Sequence, residues 1–421
     1  MKTYFLILLL IGFNFSFAQE WIRPFKEAKE AYKQKDYLHF YAKMKEANHL
    51  HPYHQELWYQ LGVAAALNNK EKEAILCLKK AILINADFKL EGVPDLQSST
   101  KNKEWGQLLE LQKKWKQAVV HSKEAFVIKD RQLHAEGIDY DPREKIFYLG
   151  SIHKRKIIKV KEGVVTDFCL SGVDGLTSTL GIKVDVKQNV LWASSSPMPE
   201  MENYDTLTRS AVFKFDLSSG KVLKKYELPH PYKTSVFGDL ILDKNGKPYI
   251  SDSKNNIVWT LNLKTDQLEI FYTSTEFWNI QGIAFNESES QLFISDYIKG
   301  IFKLDVARKH LVSVETSEEV SLKGIDGIYF YKGSLLAIQN GVAPLRSTRY
   351  YLNPKQDAIT SYKIIDKAHF AFNEPTLGVI VGKDFYYIAN SQWGGYDQNS
   401  KIKPSEQLQD IIILKYNIGG L

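Results

Sequence analysis

The sequence predicts two domains, an all-α array of tetratricopeptide-like helical hairpins followed by an all-β six-bladed β-propeller, and three observations predict it. Composition changes near residue 120: before it Ala, Lys, Glu and Leu recur at helical spacing, and after it Gly, Asp, Val, Ile and aromatics alternate around short turns. Ahead of that change, two stretches repeat at a period of about 34 residues. Beyond it, a single strand pattern occurs six times.

The chain opens with "MKTYFLILLLIGFNFSFAQ", a lysine, an apolar run and a small-residue site ending near Ala18. This pattern reads as a secretory signal peptide over residues 1–18, so a periplasmic or secreted location is expected. No cysteine directly follows the site, and no later apolar run is long enough to span a bilayer. The chain has 421 residues, 44% of them apolar, which is ample for real cores without disulfides. Its two cysteines, Cys77 and Cys169, fall in different expected domains and are expected as separately buried thiols. A net charge of +6 without a long basic block gives no footprint for nucleic acid or an anionic membrane.

The helical domain is expected over residues 19–120. "LWYQLGVAAALNNKEKEAILCLKKAILINADF" carries Trp58, Leu61, Gly62, Ala74, Leu78 and Ala81 at positions that resemble the packing positions of a tetratricopeptide helix pair. "FKEAKEAYKQKDYLHFYAKMKEANHLHP" repeats it loosely one period earlier, with Ala47 and Pro52 in matching places. A third unit, residues 92–118, keeps a polar linker and the helical run "EWGQLLELQKKWK". Such an array either offers a concave groove to a protein or peptide partner or serves as a spacer. Tyr32, Tyr37, Tyr41 and Trp58 recur at helical spacing and read as core.

The propeller is expected over residues 121–421. Its strand pattern starts at "EGIDYD" (Glu136), "LGIKVD" (Leu180), "GDLILD" (Gly238), "QGIAFN" (Gln281), "DGIYFY" (Asp326) and "LGVIVG" (Leu377). In the first four an Asp or Asn follows where a turn is needed, and then a second strand: "IFYLGS", "VLWASS", "PYISDS", "LFISDY". Repeats of about 40 to 50 residues with four strands each are propeller blades. The first strand of a blade lines the central channel, so the six starting residues converge at one mouth. The framework builds the blade and the varied residue furnishes the channel. Two carboxylates and an amide facing one another need a cation between them, and hard oxygen donors suit calcium first, with magnesium or manganese as alternatives.

With "EGIDYDP" as its most specific stretch, the propeller resembles the regucalcin and gluconolactonase family, relatives of paraoxonases and strictosidine synthases. The resemblance implies a six-bladed propeller with a divalent cation at the channel mouth, held by a Glu of the first blade, Asn residues of the third and fourth and an Asp of the fifth. Glu136 and Asp326 match that pattern, Gln281 replaces the fourth-blade Asn, and Gly238 stands in place of the third-blade Asn beside an acidic neighbour, Asp239. The metal ligands expected are therefore Glu136, Gln281 and Asp326.

Antiparallel pairing returns the end of each second strand to the same mouth, which nominates His153, Asp252, Asp296, Asn340 and Asn390 as substrate contacts. Long loops after blades two, five and six add Arg346, Arg349 and Trp393, a set suited to a small carboxylate-bearing or lactone substrate. Serine-hydrolase elbows, zinc-peptidase helices, phosphate loops and Cys-x-x-Cys pairs are absent from the sequence. The resemblance implies an exported divalent-cation-dependent hydrolase of a small lactone or ester, with Asp326 or Asp239 activating water. The alternative is a non-catalytic binding or scaffold protein whose propeller is a rigid platform with a structural cation. Finally, the C-terminal segment leaves no outermost strand for blade six, so "SKEAFVIKD" (Ser122–Asp130) is expected to pair alongside Ile411–Ile418 and close the ring.

Overall fold

The computed structural model describes residues 20–317 and 319–419; the expected signal peptide lies outside the described residues. The chain divides into two compact units, one ending at Trp115 and one beginning at Lys116. The break precedes the expected boundary at residue 120 because Val119 and Val120 already pair in the propeller, against Lys367 and Asp366.

In the first unit, helices Ile22–Lys33 and Tyr37–Leu50 form one hairpin, and Gln55–Leu67 and Glu71–Ile84 form the next. Gly62 is what lets the second pair close, since a Cβ there would sit 2.8 Å from Leu78 Cγ. The stretch read as a polar linker contains a 3₁₀ helix, Pro94–Lys101, packed on the second hairpin; helix Trp105–Lys116 follows it. Gln112 fixes that last helix by donating from Nε2 to the carbonyls of Ala86 and Phe88 at 2.8 and 2.6 Å. No described helix is long and apolar enough to cross a membrane.

The second unit is a six-bladed β-propeller of antiparallel sheets. Blade one runs Ala135–Asp141, Ile146–Ser151, Ile157–Lys161, Val164–Cys169; blade two Ser178–Asp185, Val190–Ser196, Ala211–Asp216, Val222–Glu227; blade three Phe237–Leu242, Pro248–Asp252, Ile257–Asn262, Gln267–Thr273. Blade four runs Ile280–Phe285, Gln291–Asp296, Gly300–Asp305, Leu311–Ser313, and blade five Ile325–Tyr331, Ser334–Gln339, Arg346–Leu352, Ile359–Lys367, edged by Val119–Val120. The expected turn residues act as such: Asp141, Asp185 and Asp243 each accept from a backbone N–H two residues on, at 2.8 to 2.9 Å. Adjacent blades bury apolar side chains against each other, as Trp192, Phe237, Ile250 and Trp259 do between blades two and three.

Blade six comprises Gly378–Val381, Asp384–Ile388 and Ile411–Asn417, and its outermost strand is Lys123–Ile128. The register sets Lys123 opposite Lys415 and Ile128 opposite Ile411, which is the closure expected from the missing strand. Cys77 and Cys169 are both buried and free.

Candidate functional site

Every inner strand of blades one to five slips its register at the same place, between Ala135 and Ile138, Thr179 and Ile182, Phe237 and Leu240, Ile280 and Ile283, and Ile325 and Ile328. This is a β-bulge of two residues, and its first member is the varied one: Glu136, Leu180, Gly238, Gln281, Asp326. The second member is glycine in four blades because a Cβ would strike the next blade, 2.6 Å from Leu240 N at Gly181 and 2.5 Å from Asp326 O at Gly282. Serines on the second strands satisfy backbone groups that the bulge frees: Gly181 N–H donates to Ser194 Oγ and Asp239 N–H to Ser251 Oγ, both at 2.9 Å, and Ser295 Oγ donates to Gly282 O at 3.0 Å.

All five varied residues line one cavity of about 290 Å³. Leu180, Met198, Val236 and Phe237 give it an apolar flank; Tyr297, Asn340, Glu374 and Trp393 join the ring residues on the polar side. Glu136 Oε2 accepts from Ser391 Oγ at 2.6 Å and from the Trp393 indole N–H at 3.2 Å. Asp326 Oδ2 accepts from Asn340 Nδ2 at 2.7 Å, and Asn340 Oδ1 accepts from Tyr297 OH at 2.9 Å. Gln281 donates from Nε2 to Asn279 Oδ1 at 2.7 Å, which leaves its carbonyl oxygen for the cavity. His134, beside the ring, stands edge-on to Trp393 at 4.5 Å and shares a 2.5 Å hydrogen bond with Tyr396; burial depresses its pKa to about 3, so it is a neutral support.

Burial, and then the Asp326 charge, hold the Glu136 carboxyl well above the usual carboxylate range. Burial also raises Asp326 to about 7, against the lowering effect of its Asn340 bond. The donor set fits a hard divalent cation: Glu136 and Asp326 each keep one oxygen that accepts no hydrogen bond among the described residues, and positive charge there would relieve both. No three His, Cys, Asp or Glu side chains among the described residues converge tightly enough to hold an ion, so a cation would rest on this pair plus amide oxygens.

Several residues nominated from the sequence are elsewhere. Asp239 occupies the second bulge position, is buried, accepts from its own Leu240 N–H at 2.7 Å and does not line the cavity, so it cannot reach a water there. Asp252 and Asp296 turn into their blades and clamp the chain entering them: Asp252 accepts from Ser235 Oγ at 2.5 Å, and Asp296 from Trp278 N–H and Asn279 N–H at 2.6 and 2.9 Å. The residue one place later faces the mouth, hence Tyr297 and Asn340 line the cavity and Asp296 does not. Asn390 ties its loop through Asp410 O and Ile412 N–H, both at 2.8 Å. Arg346 is buried, donating to Gln339 Oε1 at 3.0 Å; Arg349 donates to Ser334 Oγ and lies over Tyr331 and Tyr351. His153 bonds Glu200 O at 2.7 Å outside the lining. No Lys, Arg or His among the described residues lines the cavity, so the cationic clamp expected for a carboxylate substrate does not form.

Sequence reasoning missed Tyr297, the apolar residues Met198, Val236 and Phe237, and, among charged groups, Glu374. The repeat phase pointed to Leu377, whereas Glu374 precedes it in "NEPTLG" and reaches the mouth from the crossing between blades five and six. An acidic residue ahead of a proline at a blade entry was the available signal.

No family model matches the chain, and no curated protein sequence matches it. Among similar solved structures, regucalcin from Agrobacterium tumefaciens shows 12% identity over 70% of this chain and 93% of its own, with a TM-score of 0.49. A luciferin-regenerating enzyme shows 12% over 72% and 96% at 0.48, and the aldose sugar dehydrogenase from Streptomyces coelicolor 10% over 72% and 98% at 0.47. The six-bladed architecture of this chain stands on its own strand pairing.

Proposed function

We propose that the protein is an exported, divalent-cation-dependent hydrolase of a small lactone or ester. The observation that carries this reading is the pair Glu136 and Asp326, both buried, both lining one axial cavity and both with an oxygen that accepts no hydrogen bond among the described residues. Glu136, Asp326 and the Gln281 carbonyl would hold the ion, calcium first by the hardness of the donors. A bound divalent cation supplies polarisation of the acyl carbonyl.

The chain's own residues supply the rest. With Oδ2 tied to Asn340, Asp326 would offer Oδ1 to the ion and to an attacking water beside it, and positive charge there would keep the carboxylate ionised, so that it can orient the water as a base. Ser391 and Trp393 fix Glu136 so that Oε1 is the oxygen facing the ligand. Leu180, Met198, Val236 and Phe237 pack the hydrocarbon part of the substrate and exclude water from that side.

The test is hydrolysis of a panel of neutral lactones and small esters with calcium, manganese or chelator. Expected are turnover that chelator abolishes, a fall of about 10²-fold or more in Asp326→Asn, and a cation-dependent rise in melting temperature that Asp326→Ala loses. Cation-independent turnover, or none across the panel, contradicts the reading. The second reading, a binding platform with a structural cation and a helical array that grips a peptide or protein, is favoured by Gly238, which gives the site no third-blade ligand.

A further inference from the structure

The cavity is asymmetric in a way that the hydrolase reading leaves unused. One flank is apolar, formed by Leu180, Met198, Val236 and Phe237, and the other carries three carboxylates with no Lys, Arg or His among the described residues to offset them. A divalent cation on Glu136 and Asp326 neutralises those two and leaves Glu374 uncompensated beside the substrate. Glu136 and Asp326 are each more than nine-tenths buried, so the field of the site is not that of a solvated acidic rim.

Glu374 is held in an unfavourable backbone state to face this space. Its φ is +60°, in the left-handed region that side chains rarely adopt, and it precedes Pro375, a position that favours extended backbone. The sixth-blade loop keeps it there: Ser391 N–H donates to Glu374 O at 3.1 Å and Gly394 N–H to Glu374 Oε2 at 2.9 Å. Oε1 accepts no hydrogen bond among the described residues. Strain retained by surrounding bonds at a cavity wall marks a position that serves a ligand.

We infer that Glu374 selects substrates that carry an ammonium group. The substrate class is then a small lactone or ester with a protonated amine directed at Glu374 Oε1 and a hydrocarbon part against the Leu180, Met198, Val236 and Phe237 flank. Anionic substrates are excluded, because no cationic side chain meets them and the carboxylates repel them. The inference rests on the hydrolase reading for the word substrate; the ligand chemistry stands on the lining itself.

The experiment compares γ-lactones that carry an aminomethyl, an ethyl or a carboxyl group at the same ring carbon, by kcat/KM at pH 7, in the wild type and in Glu374→Gln, which keeps an acceptor for Gly394 N–H. The wild type is expected to favour the aminomethyl lactone over the ethyl one by at least about tenfold, chiefly through KM, and to work least on the carboxyl one. In the variant the aminomethyl-to-ethyl ratio falls to within about threefold. Calorimetry with two non-hydrolysable probes, cyclopentylmethylammonium and cyclopentylacetate, runs beside it. Ammonium binding that Glu374→Gln weakens, without hydrolysis of any lactone, sinks the hydrolase reading and upholds the ligand class. Hydrolysis with no preference for the amine, or an unchanged ratio in the variant, sinks the ligand class and leaves the hydrolase reading standing. Neither hydrolysis nor ammonium binding overturns both.

Discussion

Asp366 is the joint by which the propeller closes, and replacing it tests that closure directly. It is the penultimate residue of the strand Ile359–Lys367 of blade five and is fully buried. Its Oδ1 accepts from His121 N–H at 2.8 Å and Ser122 N–H at 3.1 Å, and its Oδ2 from Ser122 Oγ and from Tyr387 OH at 2.5 Å. His121 and Ser122 lead straight into Lys123–Ile128, so this one carboxylate anchors the strand that completes blade six. In Asp366→Asn the amide offers one acceptor oxygen and one donor nitrogen, so one of the two pairs of donors faces another donor. The hydroxyls can rotate, but at least one buried donor is stranded, which costs about 1–3 kcal/mol, and a charge-assisted bond worth about as much is lost with it. The expected destabilisation is about 3 kcal/mol. Urea unfolding should show it, and hydrogen exchange of the amides in Lys123–Ile128 should accelerate by about 10²-fold, since each factor of ten corresponds to about 1.4 kcal/mol. A variant within about 0.5 kcal/mol of wild type, with unchanged exchange in that strand, refutes the assignment of Asp366 as the joint.

Restoring a third-blade ligand by Gly238→Asn should fail, since its Cβ would lie 2.9 Å from Ser251 Oγ and 3.0 Å from Gln281 Cα and O. A loss of about 1–3 kcal/mol without tighter calcium binding is expected by thermal unfolding and calorimetry, and a stable variant with tighter binding contradicts the steric argument. In chelator, stability should fall as pH rises from about 4 to about 7, because native Asp326 holds its proton up to about 7 whereas the unfolded chain releases it near its ordinary value. Three pH units at about 1.4 kcal/mol each give at most about 4 kcal/mol from Asp326, a share that Asp326→Asn should remove in a series of urea titrations while the part due to buried Glu136 remains; an equal slope in both proteins would show that Asp326 is not a group responsible.

The framework was legible because packing leaves it little freedom. Gly137, Gly181, Gly282 and Gly327 mark the places where inner strands nearly touch the next blade, and Asp141, Asp185 and Asp243 mark the turns. The missing strand of blade six was legible from the single strand that follows the sixth-blade loop and from the alternating apolar pattern of Ser122–Asp130. The ring was legible in blades one to five, because a repeat phase fixes which residue of each bulge faces the axis; the inner strand of blade six pairs without a register shift, and its expected member Leu377 does not line the cavity. In the second tier Asn340 was read in phase, whereas blades three and four were read one residue out of it: Asp252 and Asp296 look like mouth carboxylates in sequence, yet each clamps the crossing into its own blade. Glu374 lies in a crossing that belongs to no repeat, so periodicity says nothing of it.

Blade three explains why the site has its particular chemistry. There the two bulge residues have exchanged types without any change of register: Leu240 pairs with Ile250 as Ile138 pairs with Leu149, yet glycine now stands first and the acid second. The exchange withdraws a donor from the mouth and buries Asp239 beneath it, with Oδ2 bonded to no group among the described residues. What remains at the mouth is a carboxylate from blade one, an amide from blade four and a carboxylate from blade five, facing an apolar flank from blades two and three. The withdrawn ligand therefore opens the side of the ring where Val236, Phe237 and Leu180 present an apolar surface. Glu136, Gln281 and Asp326 would hold a cation from the other side, across from the apolar flank that the hydrolase reading assigns to the hydrocarbon part of a substrate. Loss of the third-blade ligand and gain of a binding face are thus one structural event.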